Sequence, residues 1–249
     1  MDTNPQSEKP PRFENIVWWV FLICGLAGLA VVLTYLLVET YKLGRRDPIY
    51  QGKRLSSWMM EANSGSWPRQ NPTPADQAIL QIGTNGFPMV AQLLRSRDST
   101  LKSKLLKLYY RQSFIRLHIP TAYDHHSCAL AACWALGSEA KPLVPAVAKA
   151  LNHMDPYFRP GFELWLQQFG SDADAAVPAL ITILEDKKNP TRPFVAQTLG
   201  KISMQRRREV IPVLTACRQD TNAMVRFWAE EALKELGAPQ QTTGPDSAP

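Results

Sequence analysis

The chain is poor in the residues from which chemical sites are usually built. Among 249 residues there are four cysteines and four histidines. Cys24 lies in an apolar run, Cys128, Cys133 and Cys217 lie on helical patterns, and no short-loop pairing is visible. This excludes a disulfide framework and favours free thiols in a reducing compartment. All four histidines fall between residues 118 and 153. His126 and Cys133 share one helix face, and His125 and Cys128 share another about 100° away, so one tetrahedral zinc site is awkward. No CxxC or HxxxH spacing occurs. A Gly-rich phosphate loop, a nucleophile elbow and a paired-carboxylate motif are all missing. The acidic pairs Asp172/Asp174 and Glu230/Glu231 read as turn and solvated-face residues. No catalytic residue, metal or cofactor is therefore expected. The net charge of +6 is mild for this length and argues against nucleic acid as a partner.

Charge is wholly absent from residues 16–38, an apolar run of 23 residues. A helix of that length spans roughly 30–35 Å, enough to cross a bilayer. Trp18 and Trp19 mark one edge, Tyr35 and Tyr41 the other. Glu39-Thr40-Tyr41 follows in place of a small-residue cleavage site, so the run is expected to be an uncleaved single-pass anchor. Lys9 and Arg12 precede it; Lys42, Arg45, Arg46, Lys53 and Arg54 follow it. The excess on the later side places residues 47–249 in the cytoplasm. Residues 1–15, with Pro5, Pro10 and Pro11, and residues 238–249 carry no apolar periodicity and are expected to be disordered.

What the chain has is a repeat. Small-residue-rich helices close at Gly137, Gly170, Ser203 and Gly237, which are 33, 33 and 34 apart. Val144-Pro145, Val177-Pro178 and Ile211-Pro212 follow three of these closures. Arg159, Arg192 and Arg226 precede three of them at spacings of 33 and 34. Three marks on one period indicate stacked helix pairs. First helices are expected at residues 125–136, 162–169, 192–202 and 224–236, and second helices at 142–151, 175–184 and 210–217. Residues 39–74 read as a linker with a short capping helix at 55–62, and 75–94 as a first, degenerate pair. Ala129, Ala132, Ala196, Ala229 and Ala232 let helices approach, while Leu136, Leu166, Leu180, Leu184, Leu199, Leu214 and Leu233 fill the layers. The fold class is all-α: an α-solenoid over residues 75–237, with a groove along the stack, preceded by one transmembrane helix.

At Asp155-Pro156-Tyr157-Phe158-Arg159 and at Asn222-Ala223-Met224-Val225-Arg226…Ala232-Leu233-Lys234-Glu235-Leu236-Gly237, the chain resembles HEAT-repeat proteins. The short bacterial type, also seen in phycobilisome chromophore lyases, is the nearest in pattern. Asp47-Pro48-Ile49-Tyr50-Gln51-Gly52-Lys53, Ile82-Gly83-Thr84-Asn85 and Arg111-Gln112-Ser113-Phe114-Ile115 resemble bacterial membrane-anchored HEAT proteins of unassigned activity. The resemblance implies protein–protein scaffolding, and a packing role between repeats for Arg159, Arg192 and Arg226. Carbonyls or acids such as Asp155, Asp186 and Asp220 are in reach of such a column. Pro160, Gly161, Pro193 and Ser203 depart from the usual helix-forming pattern.

One segment stands outside the period. Gly83 and Gly137 are 54 apart, and the excess is an insert at residues 95–118. Leu101, Leu105, Leu108 and Ile115 make a helical stripe, so the insert is itself helical. Arg95, Arg97, Lys102, Lys104, Lys107, Arg111 and Arg116 face one acidic residue, Asp98, and Tyr109, Tyr110 and Phe114 interleave. Lys102, Lys104, Lys107 and Arg111 are the candidate anion surface, suited to an acidic partner or an anionic lipid. A solvated helix face is the plain alternative. The function expected is a membrane-tethered scaffold that binds another protein. A chromophore-lyase-like enzyme and a nucleic-acid or anionic-lipid module built on residues 95–118 are the competing readings.

Overall fold

Capping residues and prolines, more than periodicity, decide where each helix begins. The computed structural model describes residues 18–20, 22, 23, 25, 28, 34, 47–64, 68–111 and 119–238. The chain forms two units, Met1–Arg46 and Asp47–Pro249. Every described residue of the first unit is helical and exposed. Among the described residues no helix is long and apolar enough to cross a membrane. The span expected at 16–38 falls mostly outside the described residues, as do the expected disordered segments at 1–15 and 238–249 except Ala238, whose amide donates to the Leu233 carbonyl at 3.0 Å.

In the second unit the expected linker is partly a hairpin. Strand β1 (Ile49–Tyr50) pairs antiparallel with β2 (Lys53–Arg54), Tyr50 opposite Lys53. Gln51 and Gly52 both have positive φ, 49° and 74°, which is the backbone of a two-residue hairpin turn. The Asp47 carboxylate accepts the Ser56 amide at 3.0 Å and its hydroxyl at 2.6 Å, capping helix α1 (Leu55–Ala62). The Trp58 indole donates to the Tyr50 carbonyl at 3.2 Å, so hairpin and helix are one piece.

Helices α2 (Pro74–Ile82) and α3 (Phe87–Leu94) form the first pair. Helix α4 (Thr100–Tyr109) belongs to the insert. The later pairs are α5 (Ala122–Leu136) with α6 (Val144–Leu151), α7 (Arg159–Gln167) with α8 (Val177–Glu185), and α9 (Arg192–Ile202) with α10 (Arg207–Cys217). A single helix, α11 (Ala223–Glu235), ends the stack. Helix α5 starts three residues before the expected 125 because Thr121 and Asp124 form a reciprocal capping box. The second helices start at Val144 and Val177, two residues later than expected. Gly137 (φ 54°) and Gly170 (φ 49°) turn the chain straight into 3-10 segments, Gly137–Leu143 and Gly170–Ala176. Each following Val-Pro then puts proline in the first turn, where a missing N–H costs nothing. Ser203 closes α9 with φ −97° and leads into only three 3-10 residues, Met204–Arg206.

The core lies between the helix layers and along the joints between pairs. All the alanines and leucines expected to pack there are buried, with Phe162 and Trp165 among the largest. The Trp165 indole donates to the Cys133 carbonyl at 2.9 Å, tying α7 to α5. Helix α5 packs on α1, α2 and α3, and α9 packs on α7, α8 and α11. At Gly200 a Cβ would lie 2.8 Å from the Cα of Ala232, so α9 and α11 meet backbone to backbone.

Candidate functional site

The arginine column is structural clamp work, and it differs from joint to joint. Arg159 is buried; its guanidinium donates to the carbonyls of Leu151 (3.1 Å) and Met154 (3.0 Å), and to Asn189 Oδ1 (3.0 Å) and Thr191 Oγ1 (3.3 Å). One side chain thus joins the end of α6 to the turn that opens α9. Arg192 donates to the Leu184 carbonyl at 2.7 Å and grips the Asp220 carboxylate with both terminal nitrogens, Nη1 at 3.1 Å. Lys187 adds a second cation to Asp220 at 2.6 Å. Hydrogen bonds from Arg192 hold the Asp220 carboxyl well below the ordinary carboxylate range. Arg226 is exposed and donates to the carbonyls of Asp220 (2.7 Å) and Thr221 (3.1 Å). Asp155 and Asp186 instead cap turns, accepting from the amides of Tyr157 (2.8 Å) and Lys188 (3.1 Å).

The surface has a feature that the repeat marks do not reveal. Met204, in the 3-10 segment between α9 and α10, is 50% exposed; among the described residues of the helix pairs themselves, the exposed large apolar side chains sit on the first helices. They are Leu80 on α2, Tyr123 on α5, Leu164 on α7, Phe194 on α9, and Met224 and Phe227 on α11. Their exposure runs from 40% to 53%. Tyr157, in the turn before α7, is 74% exposed and continues the series. Tyr123 stacks across the joint, with ring centroids 4.4 Å from Phe158 and 6.0 Å from Tyr157. Helices α3, α6, α8 and α10 expose none of their large apolar side chains. The second-helix layer offers instead an open groove of about 390 Å³ between α6 and α8, lined by Pro145, Lys149, Asn152, Pro178 and Thr182. Exposed aromatic and methionine side chains gathered on one set of helices are the composition of a protein-binding surface. A signal was available in the sequence: each of the helical positions is apolar on a helix whose inward face is already filled by other apolar side chains.

The insert residues part company. Lys102 bonds Asp98 at 2.7 Å and the Pro120 carbonyl at 2.8 Å, so it faces the fold. Asp98 also accepts the Ala122 amide at 3.0 Å, which anchors the base of the insert to α5. Lys104, Lys107 and Arg111 are exposed. Phe114, Ile115 and Arg116 lie outside the described residues.

The titratable residues in the core make no site. His126 is buried, and neither ring nitrogen has a hydrogen-bond partner. Burial, then the neighbouring His153, hold it below the ordinary histidine range. His125 Nδ1 meets Ser96 Oγ at 2.9 Å, and His153 Nδ1 meets Arg97 at 2.9 Å, so the histidines turn to the insert and not to the cysteines. Burial pushes the Cys128 thiol up to about 11 and raises Cys133 and Cys217 as well, which disfavours the thiolate form. Glu163 is buried on α7 with neither carboxylate oxygen bonded; burial raises it to about 8 against the pull of Arg159. Among the described residues no cluster of His, Cys, Asp or Glu is placed to hold a metal ion.

Comparison with known proteins agrees with this frame. Residues 144–234, from α6 into α11, match the family model of HEAT repeats. No curated protein and no solved structure matches the chain. The later part of the stack is thus similar to HEAT repeats, and the earlier pairs share its helical plan.

Proposed function

We propose that this chain is a membrane-tethered helical-repeat scaffold that binds another protein through the first-helix layer of its solenoid, without catalysis. The observation that carries this is the uneven surface: exposed Tyr123, Leu164, Phe194, Met224 and Phe227 on the first helices, with Tyr157 in the turn before α7, and no exposed large apolar side chain on the second helices α3, α6, α8 and α10. Fully burying a large apolar side chain is worth roughly 1.5–3 kcal/mol and covering a half-exposed one about half of that, so several such contacts together supply the favourable part of an interface. HEAT repeats are often used for protein interaction, and the buried arginine clamps keep the layer rigid enough to present a fixed face. The tether rests on the uncharged run at residues 16–38, whose described residues are helical and exposed. The basic residues after it favour a cytoplasmic solenoid.

The test places a photoreactive amino acid at Phe194 or Phe227, and for comparison at Lys149 or Thr182, in the full chain in its native membrane. One shared adduct from the first two positions and none from the last two is expected. Adducts only from Lys149 and Thr182 would transfer the binding face to the groove and overturn the reading. Alkaline extraction tests the tether separately: the chain should stay with the membrane, and deletion of residues 16–38 should release it. A reporter active only outside the cytoplasm, fused after Pro249, should be silent.

A further inference from the structure

We propose that helix α4, with Arg111 just beyond its end, is an interfacial helix that docks on an anionic lipid surface. Nothing in the stack requires this helix. Among the described residues it makes no substantial packing contact with another helix; Lys102, Ser103, Leu106 and Tyr109 are half-buried, and none of its described side chains is fully buried. Among the described residues its base is held by Asp98, Lys102 and the Pro120 carbonyl.

Its free side combines two chemistries. At 100° per residue, Lys104 and Lys107 lie within an arc of about 60°, with Arg111 just past the helix end, and Leu101 and Leu105 occupy the adjoining arc. Leu101 is 67% exposed and Leu105 40%. Lys102 points the other way, into its contacts with the fold. From Ser99 to Tyr123 the sequence contains no acidic residue, so the cations are not neutralised locally. Among the described residues no carboxylate is bonded to Lys104, Lys107 or Arg111. A solvated helix has no use for bare leucines beside its lysines. A nucleic-acid surface would use the cations but leave the leucines in water. An anionic bilayer takes both: leucines enter the boundary between headgroups and acyl chains, and ammonium and guanidinium groups meet lipid phosphates and carboxylates. The inference is separate from the tether at residues 16–38, because α4 would meet lipid whichever part of the chain brings it there.

The experiment uses the full chain in nanodiscs of phosphatidylcholine alone, or of phosphatidylcholine and phosphatidylserine in equal parts. Nanodiscs expose both leaflets, so topology does not interfere. Co-elution with the neutral discs reports the tether; amide hydrogen exchange over residues 100–111 reports α4. An unpacked helix opens readily, so exchange there should be fast in neutral discs and slow by about tenfold or more in anionic ones, with the protection lost at high salt. Exchange in α8 and α10 should not change. Lys104→Glu/Lys107→Glu/Arg111→Glu should abolish the protection, Leu101→Ser/Leu105→Ser should weaken it, and Lys102→Gln should keep it. Equal exchange in both discs, or full protection in the triple variant, overturns the proposal. Protection by a DNA duplex but not by anionic discs overturns it in favour of nucleic acid. A chain that leaves the neutral discs yet shows α4 protected in anionic ones removes the tether and keeps the docking helix.

Discussion

Two joints of the stack are laid out alike and filled differently. Arg159 and Arg192 each stand 11 residues before the position that closes their helix, Gly170 and Ser203 (170 − 159 and 203 − 192). The residue 11 before Gly137 is His126 (137 − 126). A guanidinium carries five donors in a fixed fork and reaches carbonyls and a neighbouring polar side chain at once. Arg159 does so with the ends of α6 and its turn, Arg192 with α8 and Asp220. An imidazole has two ring nitrogens, and both nitrogens of His126 are left without a partner, although the carbonyls of Leu94 and Ser96 face it. The difference coincides with the insert. Where the second helix of one pair runs straight into the next, an arginine clamps the connection. Where α4 and its loops intervene between Leu94 and Thr121, no arginine stands at that position, and the joint is held by apolar packing, the Thr121–Asp124 box, the His125–Ser96 contact and the Asp98–Ala122 bond.

The sharpest way to break the comparison is Arg192→Leu. Asp220, fully buried, keeps only Lys187 as a cation, and the loss of a partner in a buried pair is costly. Stability at pH 7 should fall by about 3 kcal/mol, read from the denaturant midpoint. An unchanged midpoint would mean that the clamp is idle. The next effect lies one turn along from Arg159. Glu163 is raised to about 8, so the folded state holds a proton that the unfolded chain releases near pH 4.3. The contribution is fully present below that value and is lost as pH rises toward 8. Glu163→Gln should therefore stabilise the chain by about 2 kcal/mol at pH 8, with the gain shrinking toward pH 5. A gain that does not vary with pH would place the effect in packing and not in ionisation.

Much of this frame was legible in the sequence, and the reasons for the rest are physical. The bounds of α1 and α9 follow from apolar spacing alone, and the arginine column follows from its period. The starts of the second helices do not, because a glycine with positive φ and a following proline trade α-helical turns for 3-10 turns without changing the pattern of apolar residues. His126 was hidden by its identity: counting back from Gly137 finds the position, but the marker sought there was arginine. The stripe of Leu101 and Leu105 announces a helix yet cannot say whether anything covers it, since a buried and a bare leucine face have the same spacing. Nor does composition tell which layer of the stack carries Phe194 and Phe227 outward; that needs the helix pairs in place.

Gly200→Ala sharpens the comparison from the apolar side. Helices α9 and α11 lie in the regular part, and their contact is closed by Gly200 against the backbone of Ala232. A methyl there cannot be relieved by a side-chain rotation alone, so the variant should lose about 1.5 kcal/mol in spite of alanine's better helix propensity. A gain would mean that the two helices separate freely.

The smallest effect is the most discriminating, because its sign is opposite to that of Arg192→Leu at the equivalent position. His126→Leu removes a buried polar ring without bonds and leaves an apolar side chain of similar size. At pH 7 the variant should be more stable by about 1 kcal/mol. The pH dependence follows from the lowered pKa. In the unfolded chain the imidazole takes up a proton near pH 6.5, while the folded protein resists protonation. The wild type therefore holds its full stability above that value and loses it on acidification, which the leucine variant escapes at this position. The gap between the two midpoints should widen from pH 7 to pH 5.5. In Arg192→Leu no comparable change should occur until Asp220 begins to matter, below about pH 4 in the unfolded chain. A His126→Leu chain that is less stable than the wild type, or a gap that stays constant with pH, would mean that the imidazole is bonded after all and that the inserted joint is clamped like the others.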